Sequence, residues 1–174
     1  MAAPRILTLD LSTRSVGWAC SNYTPIPVYG LLEFPGMKDL GALYAACRNS
    51  VEKLIETHDP ELIVFCQALF RDQQTAARAL AGVQCVTELV AYDSGIAVME
   101  ANEMTARKAI LGRCHFGEKD PLTGGIIKGS GSKQAKLAVM KWCADQGYDP
   151  ATHDVGDALV LLRHAQLLMA KKRA

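Results

Sequence analysis

The sequence lacks the features that define several common classes of protein. It contains no run of ~18 or more uncharged apolar residues, so we expect no membrane-spanning segment. Its six cysteines include no C-x-x-C pair and are widely spaced, which favours buried thiols in a reducing cytoplasm over disulfides or zinc ligands. The phosphate-binding loop pattern G-x-x-x-x-G-K-S/T is also absent. A globular protein outside these classes remains.

A strong excess of charge is missing as well. The 174 residues carry a formal net charge of +1, and 49% of them are hydrophobic, as in ordinary globular proteins. The charge is unevenly distributed, because residues 102–142 include eight basic and three acidic side chains, whereas residues 1–101 include seven basic and eleven acidic ones. The segment 102–142 is therefore a candidate surface for a polyanion, with a solvated charged face as the alternative.

Hydrophobic periodicity predicts one α/β domain over residues 1–174. Three strands, a helix and then alternating strands and helices favour a mixed central sheet with helices on both faces. The predicted strands are 5–11, 16–22, 28–34, 62–66 and 96–99. The predicted helices are 38–58, 72–91, 102–111, 132–146 and one that starts near Asp154. Small residues along helix 72–91 allow close packing, either across a dimer interface or onto the protein's own sheet.

Glycine is concentrated between the third and fourth of these helices. Residues 113–131 contain five glycines and one proline, and we predict a long mobile loop there. Loops of this length are usually functional or disordered. Ser132 is the expected cap of the helix that follows.

A carboxylate interrupts the first apolar strand. Asp10 lies among Ile6, Leu7, Leu9 and Leu11, a pattern typical of a strand buried on both faces. A buried, unpaired carboxylate costs on the order of several kcal/mol, so Asp10 needs a partner or a metal ion. The alternative is that Asp10 caps the following turn through its own backbone.

A second acidic group lies near the C-terminus. Asp154 and Asp157 are three residues apart at the start of a predicted helix, and this spacing places both on one face. Favourable interaction with the helix dipole is the alternative explanation for either residue. Gln67 lies at the end of the next interior strand. If the fold brings Asp154 and Asp157 close to Asp10 and Gln67, the four side chains suit a site that binds divalent ions for phosphodiester hydrolysis.

Four segments resemble motifs of RuvC-family Holliday-junction resolvases. Residues 6–18, Ile-Leu-x-Leu-Asp-x-Ser-x-Arg-x-x-Gly-Trp, are similar to the opening motif, and Asp154-x-x-Asp157-Ala-Leu is similar to the closing one. Between them, residues 63–70 (Ile-Val-Phe-Cys-Gln-Ala-Leu-Phe) resemble the second motif. Residues 129–136 (Gly-Ser-Gly-Ser-Lys-Gln-Ala-Lys) resemble the family's basic segment. Each motif alone is weak, but the four follow in the family's order over most of the chain.

The resemblance implies a ribonuclease H-like fold and a metal-dependent endonuclease that nicks four-way or other branched DNA symmetrically. It implies two Mg²⁺ ions per active site, with Mn²⁺ as a substitute, and a homodimer formed through helix 72–91. The expected location is the cytoplasm, near the nucleoid or, for a viral protein, in the host cell. The implied catalytic and metal-binding residues are Asp10, Gln67, Asp154 and Asp157. The implied DNA contacts are Ser12, Arg14, Phe70, Arg71, Lys128, Lys133 and Lys136, where Phe70 either stacks on a base or packs in the core.

Gln67 departs from the family, which has a glutamate at this position. A carboxamide brings no charge to a metal ion, and impaired cleavage is expected. Three explanations compete. The glutamate was replaced by engineering; the natural site uses a neutral ligand or recruits another acid; or the protein is a natural homologue that binds branched DNA without cutting it. The acids that could be recruited are Asp72, Glu88 and Glu100. The Gly-rich segment 113–127 is a second departure, since it is longer than in typical members.

A nucleotide-binding phosphotransferase of the actin-like superfamily is a further alternative, because its first phosphate loop also follows a strand aspartate. Those proteins enclose the nucleotide between two such domains, and 174 residues are too few for both. The sequence therefore favours the nuclease.

Overall fold

A five-stranded sheet forms the centre of the structure, a computed structural model that describes residues 4–22, 24–36, 39–67, 74–125 and 127–173. The strands are β1 (Ile6–Leu11), β2 (Ser15–Cys20), β3 (Val28–Glu33), β4 (Leu62–Cys66) and β5 (Ala97–Ala101). Their order in the sheet is β3-β2-β1-β4-β5. The first three strands pair antiparallel, whereas β1, β4 and β5 pair in parallel. The predicted mixed sheet is confirmed.

Helices cover both faces of the sheet, as the sequence predicts. They are α1 (Leu40–His58), α2 (Gln74–Asp93), α3 (Glu103–Leu111), α4 (Ser130–Asp145) and α5 (His153–Arg173). One core joins α1 and α2 to alternate residues of β1 such as Leu7 and Leu9. The second core joins α3, α4 and α5 to the opposite face, where Ile6 and Val64 lie. Within the described residues, every helix is too short or too polar to cross a membrane.

The packing of α5 on the sheet determines where the acidic residues lie. Side chains alternate across a strand, so Asp10 points to the same face as Ile6 and Thr8, the face that α5 covers. The Thr8 hydroxyl donates a 2.8 Å hydrogen bond to the Ala158 carbonyl of α5. At Gly17 of β2, an added Cβ would lie 2.1 Å from the Asp154 carbonyl oxygen, and only glycine allows this approach. The first two turns of α5 therefore lie directly against β1 and β2.

The predicted start and cap of α4 are corrected. The helix begins at Ser130, with Gly129 at the N-cap in a left-handed conformation (φ 80°), so Ser132 does not cap it. Ser130 instead accepts a 2.9 Å hydrogen bond from the Glu118 backbone and donates one of 2.7 Å to the Ile127 carbonyl. The preceding glycine-rich segment thus makes specific contacts with α4, and its mobility stays a prediction.

Two small residues in the middle of α2 pack inside the chain. Ala79 is buried, and an added Cβ at Gly82 would lie 2.1 Å from the Tyr44 ring of α1. Close contact between α1 and α2 therefore explains these positions. The opposite side of α2 remains exposed.

Candidate active site

Four carboxylates line one cavity of about 810 Å³ at the edge of the sheet where β1 ends. Asp10 comes from β1, Asp154 from the first turn of α5 and Asp157 from just beyond that turn, and Glu103 from the first turn of α3. The structure therefore brings together the three aspartates that the sequence singled out. It adds a glutamate that was not predicted.

Asp10 is partly buried beside this cavity. No side chain or backbone group in the described part of the chain donates a hydrogen bond to its carboxylate. Burial raises the pKa of Asp10 well above its usual value, and the negative charges of Asp157, Asp154 and Glu103 raise it further. Arg107 lowers this pKa, but not enough to offset the other effects. The environment of Asp10 is therefore short of positive charge.

Asp157 is paired with Arg107. The Nη2 and Nε atoms of Arg107 donate hydrogen bonds of 2.8 and 3.2 Å to Oδ1 of Asp157. The same Nη2 lies 2.5 Å from Oε1 of Glu103. Burial raises the pKa of Asp157, and the ion pair with Arg107 works in the opposite direction. One guanidinium group thus bridges two carboxylates of the cavity.

Asp154 is held by two neighbours. The Ser15 hydroxyl at the start of β2 donates a 2.7 Å hydrogen bond to Oδ2. Nε2 of His153 lies 2.9 Å from Oδ1. Together with the close approach at Gly17, these contacts fix the orientation of the Asp154 carboxylate.

Gln67 does not join the three aspartates. Its backbone N–H donates a 2.9 Å hydrogen bond to the Ala101 carbonyl, but the residue is exposed and does not line the cavity. Among the acids that could replace it, Glu88 and Glu100 are also exposed and lie outside the cavity lining. Asp72 lies outside the described residues.

The residues predicted to contact DNA are distributed over several places. Lys136 lines the acidic cavity, and it also borders a shallow surface pocket together with Lys133. Lys128 is exposed just before α4, and Arg14 is exposed beside a separate cavity of about 930 Å³. Phe70 and Arg71 fall outside the part of the chain that the structure describes.

Ser12 has a local structural role in the turn between β1 and β2. Its hydroxyl oxygen accepts hydrogen bonds of 3.3 and 3.1 Å from the backbone of Arg14 and Ser15. The hydroxyl also donates a 2.6 Å hydrogen bond to the Ser15 carbonyl. Ser12 therefore shapes the turn that presents both Arg14 and Ser15.

Sequence reasoning missed Glu103, Arg107 and His153. The spacing of Glu103 and Arg107 predicts an ion pair along one helix, but it does not show what that helix faces. The missing information is the strand order: β5 pairs in parallel with β4 beside β1, so the helix that follows β5 starts at the edge where β1 ends. His153 could have been noticed only as the neighbour of Asp154.

The donor atoms of this cavity suit a hard divalent cation. All four acidic side chains offer oxygen, the ligand that Mg²⁺ prefers. Within the described residues, however, no group of three or more His, Cys, Asp or Glu side chains has converged on a common metal position. Arg107 occupies the space between Asp157 and Glu103 instead. The chemistry of the site therefore fits a metal ion, provided that Arg107 moves.

Comparison with known proteins identifies relatives in sequence and in structure. No family model matches the sequence. The crossover junction endodeoxyribonuclease RuvC of Protochlamydia amoebophila (strain UWE25) is 25% identical over 173 residues, which cover 96% of this chain and 94% of that protein.

Solved structures of resolvases share the fold. Thermus thermophilus RuvC in complex with a Holliday junction substrate has a TM-score of 0.68 at 11% identity, covering 99% of this chain and 97% of that one. The yeast mitochondrial Holliday junction resolvase has a TM-score of 0.63 at 10% identity, covering 98% and 80%. The resemblance to RuvC-family resolvases is thus confirmed, together with the ribonuclease H-like fold that it implied.

Proposed function

We propose that this protein is a structure-selective endonuclease that resolves Holliday junctions or other branched DNA by hydrolysing phosphodiester bonds. One observation carries the proposal: Asp10, from the start of the chain, lines the same cavity as Asp154 and Asp157, from its end. These are the motif residues that resemble the resolvase family, and they meet on the fold that the resolvases share. The relative that matches almost the whole chain is itself named a crossover junction endonuclease.

The cofactor that we propose is Mg²⁺, or Mn²⁺ as its substitute, at two ions per site. Asp10, Asp154 and Asp157 would hold it, since their carboxylates are the oxygen donors that line the cavity. When bound there, the ions would supply an activated water molecule and charge stabilisation for the leaving 3′-oxygen, and the products would carry 5′-phosphate and 3′-hydroxyl ends. Ser15 orients the Asp154 carboxylate, and Lys136 at the cavity binds the DNA phosphate beside the scissile bond.

We propose a homodimer as the active form, because symmetric nicking of a four-way junction needs two active sites. The exposed side of α2 supports this arrangement. Leu89 and Tyr92 are 54% and 82% exposed, and Cys85 lies on the same side of the helix. Two copies of this apolar strip could cover each other.

The proposed location is the cytoplasm where recombining DNA lies, in a prokaryotic cell or in the host of a virus.

A junction-binding protein without nuclease activity is the alternative that Gln67 raised. The uncharged side chain at position 67 favours it, but the three aspartates and Lys136 all remain at the cavity. The nuclease is therefore the better-supported function.

Cleavage of labelled DNA tests the proposal. The unchanged chain is incubated with a four-way junction and with a linear duplex of matching sequence, in Mg²⁺, in Mn²⁺ and in chelator. We expect paired nicks in the junction only, and only with metal present. Tight binding of the junction without cleavage at any metal concentration would contradict the nuclease and support the binding protein.

A further inference from the structure

Glu103 is the fourth carboxylate of the cavity, beside the three aspartates. It is the first residue of α3, directly after its N-cap Asn102, and its side chain lines the acidic cavity with 37% of its surface exposed. Cys66 of β4 pairs in register with Ala101 of β5. Gln67 and Glu103 therefore leave neighbouring parallel strands at the same edge of the sheet. Of these two residues, only Glu103 lines the cavity.

The position of Arg107 marks a place for a cation between two carboxylates. Its Nη2 atom lies 2.5 Å from Oε1 of Glu103 and 2.8 Å from Oδ1 of Asp157. Glu103 and Asp157 are the residues that would hold a divalent ion at this place, because carboxylate oxygens are the ligands that Mg²⁺ prefers.

The cavity has an excess of negative charge that a divalent cation would balance. Among the described residues that line it are four carboxylates and two formal cations, Arg107 and Lys136. Arg107 bonds Asp157 and Glu103, and none of the described residues donates a hydrogen bond to Asp10. An ordinary i,i+4 ion pair on a helix surface explains the contact of Arg107 with Glu103. It does not explain why the same guanidinium reaches Asp157 of another helix in an acidic cavity.

We propose that Glu103 supplies the fourth carboxylate of the metal site in place of the charge that Gln67 lacks, and that Arg107 is the counter-ion which leaves Glu103 and Asp157 when a divalent cation binds. This inference rests on the proposed nuclease function and identifies a further metal ligand of the same site. It assigns the ligand to a strand end next to the one where the family carries its glutamate.

Binding of Mn²⁺ to the full-length chain without DNA tests the proposal. Calorimetry would compare the unchanged chain with Glu103→Gln and with the matched control Glu100→Gln, which removes an exposed acid of β5 outside the cavity. We expect Glu103→Gln to weaken Mn²⁺ binding by about tenfold or more. We expect Glu100→Gln to leave it unchanged.

The variant Arg107→Gln separates ligation from the ion pair. It breaks the same ion pair but keeps the Glu103 carboxylate, so it should bind Mn²⁺ at least as tightly as the unchanged chain. Equal weakening by Arg107→Gln and Glu103→Gln would overturn the proposal, because the ion pair alone would then matter. If Glu103→Gln binds Mn²⁺ as tightly as the unchanged chain while Asp157→Asn binds it more weakly, the proposed role of Glu103 is also overturned. The proposed nuclease function would then still stand. If Mn²⁺ binding were indifferent to Asp10→Asn, Asp154→Asn and Asp157→Asn alike, the proposed function itself would fail.

Discussion

The two aspartates Asp10 and Asp154 lie at the same cavity but in different surroundings. Asp10 lies in an apolar strand beside three other carboxylates, and its raised pKa reflects burial first and their charges second. Asp154, by contrast, accepts a hydrogen bond from Ser15 and lies beside His153. The two aspartates therefore differ in how firmly the protein alone can hold them. Asp10 depends most on an added cation.

At this scale we predict an effect of Ser15→Ala. The hydroxyl that donates 2.7 Å to Asp154 is lost, so the carboxylate should turn more freely and the cleavage rate should fall by about tenfold. The KM for a four-way junction should stay the same, because Ser15 holds a carboxylate of the site rather than DNA. Ser94→Ala, which removes an exposed hydroxyl after α2, is the control and should have no effect. Equal rates for Ser15→Ala and the control would contradict this role.

The element that organises the molecule is α5. Its N-terminal part carries both aspartates of the closing motif, and its remaining turns contribute Leu159 and Leu161 to the second core. Its N-terminal turn approaches the sheet closely because residue 17 is glycine. The sheet and α5 thus form the site together.

Gly17→Ala tests this packing. The added methyl group would lie 2.1 Å from the Asp154 carbonyl oxygen, so α5 must shift. We expect a loss of about 1–3 kcal/mol in the free energy of unfolding, measured with urea, together with a loss of cleavage. Gly125→Ala is the control, since its nearest contact would be an ordinary 3.5 Å from Thr123. Unaltered stability and activity in Gly17→Ala would show that α5 does not depend on this contact.

A buried histidine of α5 predicts a pH dependence of stability. His164 is 6% exposed, and its Nδ1 has no hydrogen-bond partner among the described residues. Burial lowers its pKa below 6.5, and the charge of Lys171 adds to this. Protonation therefore favours the unfolded chain, and stability is lost as the pH falls from 6.5 through the lowered pKa. Between pH 7 and pH 5, Tm should fall further in the unchanged chain than in His164→Gln, and an equal fall would contradict the prediction.

For the whole molecule, the sequence predicted the fold better than it predicted the site. The mixed sheet and both helix layers followed from hydrophobic periodicity, and the motifs around Asp10 and Asp157 indicated two parts of the acidic cavity. Glu103 and Arg107 could not be found in the same way, because their place depends on β5 lying beside β4. The cap of α4 was also predicted wrongly, since Gly129 rather than Ser132 is at its N-cap.

The quaternary structure gives a prediction at the same scale. If the exposed side of α2 forms a dimer, Leu89→Glu places two charges in an apolar interface and should weaken association by about tenfold or more. Light scattering after size-exclusion chromatography measures the change. Leu122→Glu, at a residue 94% exposed and far from α2 in the sequence, is the control. A chain that is monomeric before any substitution would contradict the proposed dimer.

The measurement that tests the central claim most directly compares the unchanged chain with Asp10→Asn on a labelled four-way junction. Cleavage and binding are recorded on the same samples with Mg²⁺, because the proposed role of the Asp10 carboxylate is in the reaction and that of the lysines is in DNA binding. We predict that Asp10→Asn abolishes the paired nicks while the Kd for the junction changes by less than about threefold. Equal cleavage by both chains would contradict the claim that the cavity containing Asp10 is the active site.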